Sequence, residues 1–304
     1  MKKKAEKYLS SLPKDSFAGK HVYITGGNSG IGFGLAKNLL SLGAVIHLLC
    51  RNPKKAEEAK KSLLEMFPGA EIYFHPLDLS SFQSIFSCVE ELSTSPFPID
   101  YFVHNAGVFR MEKVLSVDGY DLTLGTNLIG TVLLNESLIP LFASQAHKPV
   151  VLFTSSLSAS WSKISCDSLF HPYPKSKIGL YAESKRGIYL YGRYCQRQED
   201  LPFLPVLAHP GVTFTPLFLK GYPKAFASFL SPIFQTIFHS PDEASLIDVE
   251  ALLHPSADGY FSPKGCLSAS GLPKKKKFPK KLEKSDSAFI PSLLRELKSK
   301  KELS

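Results

Sequence analysis

The chain has 304 residues, 44% of them hydrophobic, so it can bury a sizeable core and has a length that one α/β domain commonly uses. Its formal net charge is +9, with much of the excess near the two ends, and solvated terminal segments account for it better than nucleic-acid binding does. No uncharged apolar run reaches the roughly 18 residues of a membrane-spanning helix, which predicts a chain that does not cross a membrane.

Cysteine usage and the N-terminal sequence indicate the compartment. The five cysteines are widely scattered and include no Cys-x-x-Cys pair, which predicts neither a disulfide framework nor a metal site. Behind the lysines at residues 2–4 there is no apolar segment of the kind that a signal peptide needs. We therefore expect a cytoplasmic protein.

Six short apolar runs alternate with longer amphipathic stretches from residue 20 onward. The runs are rich in Val, Ile, Phe and Tyr and lack clean in/out alternation, as expected of strands that helices cover on both faces. This order predicts an α/β fold, a doubly wound Rossmann-type parallel sheet flanked by helices on both faces, in a single domain. The predicted strands are residues 21–25, 44–49, 71–75, 99–104, 149–154 and 203–208.

The two ends of the chain do not follow this pattern. We predict that residues 1–18 form an N-terminal appendage and that residues 19–265 form the Rossmann-type domain. After residue 265 the sequence becomes rich in Lys, Pro and Ser, which predicts a basic C-terminal tail over residues 266–304.

A glycine-rich turn follows the first predicted strand directly and runs into an apolar-periodic helix. Glycines permit a tight turn there, a close approach of the main chain to a pyrophosphate, and packing of helix against sheet. The helix N-terminus then offers free N–H groups and the positive end of its dipole to phosphates. An ordinary glycine turn is the alternative, but the flanking strand and helix favour dinucleotide binding. The predicted contacts are Thr25, Gly26, Asn28, Ser29, Gly30, Ile31 and Gly32.

The spacing of these glycines, Thr-Gly-x-x-x-Gly-Ile-Gly, resembles that of the short-chain dehydrogenases/reductases. Further motifs of that family follow in the family's order across roughly residues 20–265, and together they are far more specific than any one alone. The long interval between the serine and tyrosine motifs resembles the retinol-dehydrogenase-like branch. The motifs are Leu77-Asp78-Leu79, Asn105-Ala106-Gly107, Asn127, Ser155-Ser156, Tyr181 with Lys185, and Pro210-Gly211-Val212 with Thr215.

The end of the second predicted strand bears on which dinucleotide the chain binds. An enzyme that prefers NAD usually has an acidic residue there, which binds the ribose 2′-hydroxyl. This chain has Arg51, whose guanidinium can stack on adenine and pair with a 2′-phosphate. We therefore expect NADP(H) to be favoured over NAD(H). The alternative is that Arg51 is an exposed loop residue with no part in cofactor binding.

The resemblance also implies where the other motifs lie relative to the cofactor. It implies that Asp78, followed by Leu79, contacts the adenine ring. It implies that Asn105-Ala106-Gly107 lines the adenosine side of the groove. After the sixth strand, Pro210-Gly211-Val212 would turn the chain over the nicotinamide, and Thr215 would bond its carboxamide.

Tyr-x-x-x-Lys is the pattern that could supply a proton to a carbonyl oxygen. A free tyrosine has a pKa of about 10, and an ammonium one helical turn further on would stabilise its phenolate. The pattern occurs three times, but Tyr260 is followed by a proline within the turn, and Tyr173 lies between two prolines. Tyr181 and Lys185 lie in a proline-free stretch, where they can share one helix face. We therefore predict Tyr181 as the proton-transferring residue and Tyr173 as its rival.

Ser156 and Asn127 complete the catalytic set that the resemblance implies. Ser156 would donate to the substrate oxygen and hold it against Tyr181. The adjacent Ser155 competes for this role and ranks second because the family's reactive serine aligns with the second of the pair. Asn127 would hold a water that links Lys185 to solvent, and its alternative is a capping or structural amide.

Residues 216–238 contain six aromatic side chains. The family resemblance implies a mobile lid over the substrate, and the aromatic content favours a small apolar carbonyl or alcohol substrate. The rings fit a core or a homo-oligomer interface equally well. A weak peripheral contact with a membrane surface is a further alternative.

The predicted function is that of an NADP(H)-dependent oxidoreductase, which transfers a hydride between nicotinamide and an apolar carbonyl or alcohol. The alternative is a non-catalytic regulatory or scaffold protein that keeps the fold and binds a dinucleotide without turnover. The joint presence of Asn127, Ser156, Tyr181 and Lys185 favours the enzyme.

Overall fold

The strands are β1 (His21–Thr25), β2 (Val45–Cys50), β3 (Ile72–Pro76), β4 (Tyr101–His104), β5 (Val150–Thr154), β6 (Leu204–Ala208), β7 (Tyr260–Pro263) and β8 (Pro273–Lys276). They form one eight-stranded sheet in the computed structural model, which describes residues 2–109, 114–165, 176–212, 239–265, 268–279, 282 and 288–301. The strand order is β3-β2-β1-β4-β5-β6-β7-β8. Neighbours from β3 to β7 are parallel, and β8 runs antiparallel to β7.

Helices connect the strands, and several begin at the capping residues that the sequence supplies. The side chain of Asn52 accepts from the main-chain nitrogen of Lys55, and that of Ser81 accepts from Ser84. A helical turn Leu122–Leu124 and a π-helical segment Gly125–Ile129 precede the fifth helix. The helices are α1 (Lys2–Ser11), α2 (Gly30–Leu40), α3 (Pro53–Met66), α4 (Phe82–Ser93), α5 (Gly130–Ser144), α6 (Lys177–Gln196), α7 (Pro241–Leu253) and α8 (Phe289–Lys301).

Helices cover the sheet on both faces. One apolar layer contains Leu35 of α2 and Ile247 of α7, and the other contains Leu134 of α5 and Ile188 of α6. Strands covered in this way need no alternation of polar and apolar residues, which is the pattern that the sequence shows. The predicted doubly wound parallel sheet with helices on both faces is confirmed.

The strand order reverses between β1 and β4. From β1 the sheet extends outward through β2 and β3, and from β4 it extends in the other direction through β5 and β6. Loops that follow β1 and β4 therefore diverge at their carboxyl ends and leave a crevice, the usual ligand position in this type of sheet. The glycine turn after β1 and Asn105-Ala106-Gly107 after β4 form its two sides.

Both terminal segments pack onto the domain more closely than their sequences predict. In the N-terminal segment Phe17 is fully buried, and Tyr8 donates to Glu250 of α7. In the C-terminal segment β8 extends the sheet, and Leu293 of α8 is fully buried. A basic tail was predicted because the sequence around β8 is lysine-rich and has no apolar face. Main-chain pairing with β7 is what places β8 in the sheet.

One helical stretch, Leu122–Ser144, is long and apolar enough to cross a membrane by length and composition alone. Glu136 interrupts its uncharged run, so the sequence alone predicts no span there. Within its most apolar window, 67% of the residues are buried inside the fold, as in the core helix of a soluble protein. The stretch is therefore weak evidence for a membrane span.

Candidate active site

Hydrogen bonds of Thr25 and Asn105 join the ends of β1 and β4 at the base of the crevice. The Thr25 hydroxyl donates to the Val103 carbonyl at 3.2 Å and accepts from the main-chain nitrogens of Asn105 and Ala106, both at 3.0 Å. The Asn105 amide donates to the Thr25 carbonyl at 2.9 Å. Both side chains therefore hold the ends of β1 and β4 together, and they shape the predicted adenosine groove through the main chain.

Three positions of the turn after β1 require glycine. Gly26 and Gly30 have φ angles of +67° and +56°, in the left-handed region that favours glycine. A Cβ on Gly32 would lie 2.6 Å from both the Asn105 Nδ2 and the Gly26 carbonyl oxygen. The turn consequently brings its main chain tightly against the crevice.

The N-terminus of α2 is open. Ser29 occupies the N-cap position but its side chain makes no capping hydrogen bond, and no acidic side chain lies in the first turn. The first N–H groups of α2, which have no acceptor within the helix, and the positive end of the helix dipole therefore lie at the glycine turn, which includes Asn28 and Ile31. These are the donors that a pyrophosphate needs, so the residues present fit a dinucleotide.

Arg51 lies at the carboxyl end of β2 beside Asp78. Its side chain is 53% exposed, and its Nη1 is 3.7 Å from the Asp78 Oδ2. The other oxygen of Asp78 accepts from the main-chain nitrogen and the hydroxyl of Ser80, at 2.9 and 2.6 Å. Leu79 is buried in the core. An exposed ion pair contributes little, so the guanidinium can exchange Asp78 for a stronger anionic partner.

Ser156 and Tyr181 meet at the carboxyl end of β5. Ser156 accepts from the main-chain nitrogen of Ser158 at the start of a short 3₁₀ helix, Leu157–Ser160. Its hydroxyl faces the phenol of Tyr181, which is partly exposed on α6, and favours the ionised form of that phenol. Ser155 is buried and donates to the Lys185 carbonyl at 3.0 Å. Of the two serines, Ser156 is therefore the one that reaches Tyr181.

Lys185 follows Tyr181 by one helical turn and is buried. Its Nζ donates to the Thr154 carbonyl at 3.0 Å. A Cβ on Gly107 would lie 3.4 Å from this Nζ and 3.6 Å from the Asn127 Oδ1, so the loop after β4 passes close to both side chains. Burial lowers the pKa of Lys185 to about 8, and the negative charge of Asp248 opposes this shift.

Asn127 lies in the π-helical segment, a distortion that is frequent at functional sites. Its amide donates to the Val108 carbonyl at 2.9 Å and to the Ser184 hydroxyl at 3.0 Å, and its Oδ1 accepts from the Val108 nitrogen at 2.7 Å. The Asn127 side chain thus fixes the loop after β4 next to Lys185. This is the role of a structural amide, the alternative to holding a water.

The pKa of Tyr181 is raised from its ordinary value. Burial is the main cause, and the Ser156 hydroxyl opposes it. The ammonium of Lys185 is directed at the Thr154 carbonyl. That the Lys185 ammonium and the positive nicotinamide of an oxidised cofactor together stabilise the phenolate stays a prediction from the sequence.

The loop after β6 is held against the segment that follows β7. Gly211 has a φ angle of +91°, and its main-chain nitrogen donates to the His209 Nδ1 at 3.2 Å. Val212 donates to the Ala269 carbonyl at 2.8 Å. Pro210, Gly211 and Val212 therefore lie where the chain leaves the sheet. Thr215, the predicted lid over residues 216–238 and the rival Tyr173 lie outside the described residues.

Two residues at or near the site were not singled out from the sequence. The ring of Phe109 packs edge-on to that of Tyr181, with centroids 5.6 Å apart, and its position two residues after Gly107 was an available signal. Asp248 of α7 is fully buried, and within the described part of the chain neither of its carboxylate oxygens has a hydrogen-bond partner. In the sequence it is one of several acids in a helix, so nothing marked it.

Comparison with known proteins gives matches over most of the chain. A family model described as short chain dehydrogenase matches residues 20–185. Retinol dehydrogenase 14 of Homo sapiens is 29% identical over 278 residues, which cover 84% of this chain and 81% of that protein.

Solved structures share the fold. An uncharacterized protein from Mycobacterium paratuberculosis superposes with a TM-score of 0.72 at 23% identity, covering 95% of this chain and 94% of that one. A short chain dehydrogenase from Shigella flexneri complexed with NADP has a TM-score of 0.59 at 19% identity, covering 85% and 96%. At these identities the likeness concerns the fold alone.

Proposed function

The chain belongs to the short-chain dehydrogenase family, in its retinol-dehydrogenase-like branch, and on this premise we propose that it is an NADP(H)-dependent enzyme that acts on small apolar carbonyl or alcohol substrates. Membership of the family makes it an oxidoreductase. The observation that carries the finer proposal is the placement of the Ser156 hydroxyl against the Tyr181 phenol, whose raised pKa it opposes, with Lys185 one turn further along the same helix. When bound, the cofactor supplies or accepts the hydride.

In this proposal Tyr181 transfers the proton. In reduction its phenol donates to the substrate carbonyl oxygen, and in oxidation its phenolate takes the proton of the alcohol. Burial keeps the phenol protonated, which is the form that reduction requires. Ser156 donates a hydrogen bond to the same substrate oxygen and so orients the carbonyl toward Tyr181.

Lys185 returns the proton to Tyr181 in this proposal. With a pKa of about 8, its ammonium can release a proton and recover it close to neutral pH. Asn127 holds the loop after β4 against Lys185 through its bonds to Val108. A water retained beside Asn127 would connect Lys185 to solvent.

The glycine turn and the loops around it would hold the cofactor. The open N-terminus of α2 suits the pyrophosphate, and the exposed guanidinium of Arg51 suits a 2′-phosphate, which supports NADP(H) over NAD(H). Asp78 and Asn105-Ala106-Gly107 would lie along the adenosine, with Pro210-Gly211-Val212 toward the nicotinamide.

Apolar side chains beside the site support an apolar substrate. The ring of Phe109 lies against Tyr181, and Ile178, one turn earlier on α6, is 59% exposed. Trp161, just after the 3₁₀ helix that Ser156 caps, is 62% exposed. Exposed apolar groups of this size commonly line binding sites. A cytoplasmic location and a homo-oligomeric state remain predictions from the sequence.

The test is turnover of NADPH by the purified chain with a panel of aliphatic and aromatic aldehydes and ketones. We expect Tyr181→Phe to lower kcat by roughly 100-fold or more while NADPH binding, followed by fluorescence, is kept. Tyr173→Phe is the matched control, the same change in the rival motif, and should retain activity. Loss of turnover in Tyr173→Phe but not in Tyr181→Phe would contradict the site. NADPH binding without turnover of any substrate would favour the non-catalytic dinucleotide-binding protein.

A further inference from the structure

Asp248 is a carboxylic acid inside an apolar layer. It lies in the middle of α7, and its neighbours Ile247 and Val249 are also fully buried. Among the residues that the structure describes, no group donates a hydrogen bond to either of its oxygens. A lone carboxylate in such surroundings is strongly destabilising unless it is neutralised or matched by a positive charge.

Lys185 is the positively charged group whose field acts on Asp248. α7 packs against β5 and β6, and the Lys185 Nζ is bonded to the carbonyl of Thr154, the last residue of β5. Burial raises the pKa of Asp248 to about 7 and lowers that of Lys185 to about 8, and in each case the charge of the other group opposes the shift. Each charge therefore favours the ionised form of the other group.

The other charged groups packed around α7 are engaged elsewhere. Lys37 of α2 pairs with Asp242, and Tyr8 of α1 donates to Glu250. Lys276 of β8 donates to the Pro263 carbonyl at 2.6 Å. Further titratable groups on or near α7 are Glu243, which caps the start of α7, His239, whose Nε2 accepts from Gly271, and His209 at the end of β6, whose pKa burial lowers to about 3. On the strands beside them, Tyr260 lies on β7, and Lys274 and Lys275 lie on β8.

We propose that Asp248 is a positioning residue that acts through Lys185, its carboxylate holding Lys185 as the ammonium from the opposite face of the sheet. The inference rests on the proposed function, in which a charged Lys185 returns the proton to Tyr181. It accounts for an acid that has no hydrogen-bond partner in the described part of the chain and yet lies in an apolar layer behind the candidate site. It also assigns α7, which carries no other residue of the site, an electrostatic part in the reaction.

The first test needs neither cofactor nor substrate. A double-mutant cycle with Asp248→Asn, Lys185→Met and the pair is measured by urea unfolding at about pH 7.5 and about pH 5. We expect a coupling between the two sites at the higher pH, because both groups are then largely charged, and its loss at the lower pH, where Asp248 is protonated. Additive effects at both pH values would overturn the proposal.

A second comparison covers the case in which Asp248→Asn does not fold. An acid whose folded pKa is raised loses stability from about pH 4, where the unfolded chain releases its proton, up to the folded pKa, here about 7. Lys185→Met removes the positive charge that opposes this raised pKa, so its stability should go on falling above neutrality, whereas Lys185→Arg keeps the charge and its fall should end near neutrality. Parallel pH dependences of the two variants would contradict the pairing.

The third test distinguishes a positioning role of Asp248 from a purely structural one. If a charged Lys185 is needed, activity falls on the alkaline side as Lys185 loses its proton, and Asp248→Asn should shift that limb of the kcat profile to lower pH by about half a unit or more. Asp242→Asn, on the same helix but exposed, is the matched control and should leave the limb in place. A lower kcat with an unmoved limb would overturn the proposal. Coupling in the unfolding cycle of a chain without turnover would instead count against the proposed function.

Discussion

The hydroxyl oxygen of Thr25 lies 3.0 Å from the main-chain nitrogen of Asn105 and accepts its hydrogen bond. The same hydroxyl accepts from Ala106 and donates to Val103, so one side chain satisfies three main-chain groups at the point where β1 and β4 diverge. Leaving one buried polar group without a partner costs about 1–3 kcal/mol. The shape of the crevice therefore depends on one buried hydroxyl.

Thr25→Val removes that hydroxyl while keeping the shape of the side chain. We expect the free energy of unfolding to fall by about 2 kcal/mol or more and the affinity for NADPH to weaken, because two N–H groups lose their acceptor. Urea unfolding and NADPH titration measure the two effects. Thr154→Val is the matched control: its buried hydroxyl has no hydrogen-bond partner among the described residues, so its loss should be neutral or stabilising. Equal effects of the two substitutions would contradict the argument.

Gly32→Ala tests the close approach of the glycine turn to β4. The new methyl carbon would lie 2.6 Å from the Gly26 carbonyl oxygen, a main-chain atom that cannot move aside without opening the turn. We expect a loss of about 1–3 kcal/mol of stability and weaker NADPH binding, measured by unfolding and by titration. Gly125→Ala, where a methyl group would meet its nearest neighbour at 3.5 Å, is the control and should bind NADPH normally.

Arg51→Ala tests the preference between cofactors. A charge-assisted hydrogen bond contributes about 1.5–3 kcal/mol, so we expect NADPH to bind roughly 10-fold or more weakly while NADH is unaffected. Titration of both cofactors by fluorescence gives the ratio. Arg51→Lys keeps the charge but not the planar fork and should give an intermediate ratio. An unchanged NADPH-to-NADH ratio in Arg51→Ala would mean that the preference lies elsewhere.

The sheet was predictable from the sequence because buried parallel strands are continuous apolar runs. The predicted strand at residues 149–154 differs by one residue from Val150–Thr154. β8 was not predictable, since Pro273–Lys276 is lysine-rich and its place at the sheet edge comes from main-chain pairing with β7. Chain-local patterns carry no information on such pairing.

Only those residues of the site that belong to sequence motifs were predictable. Within the motif Ser155-Ser156, only the family resemblance favoured Ser156; the physical reason, that Ser155 is bonded to the main chain of α6, was not visible in the sequence. Asp248 could not be predicted at all, since its link to Lys185 arises from the packing of α7 against β5 and β6.

Three histidines on the neighbouring strands β1, β2 and β3 form a hydrogen-bonded row. Ring nitrogens of His21 and His47, and of His47 and His75, are 2.9 Å apart, and His75 lies 2.8 Å from Glu91. Because the Glu91 carboxylate can only accept, His75 must donate to it, and each ring then accepts from the next. Burial, the main cause, lowers the pKa of His47 to about 2.

His47→Gln tests the consequence of this row for acid stability. The unfolded chain binds a proton at His47 below about pH 6.5 that the folded chain excludes, so stability is lost as the pH falls through that value, by about 1.4 kcal/mol per unit. Between about pH 7.5 and about pH 5 in urea unfolding, His47→Gln should therefore lose up to about 2 kcal/mol less than the unaltered chain does, even if it begins less stable. His254 is exposed, and His254→Gln should follow the unaltered chain. A pH dependence of His47→Gln parallel to that of the unaltered chain would show that His47 accepts a proton in the folded state.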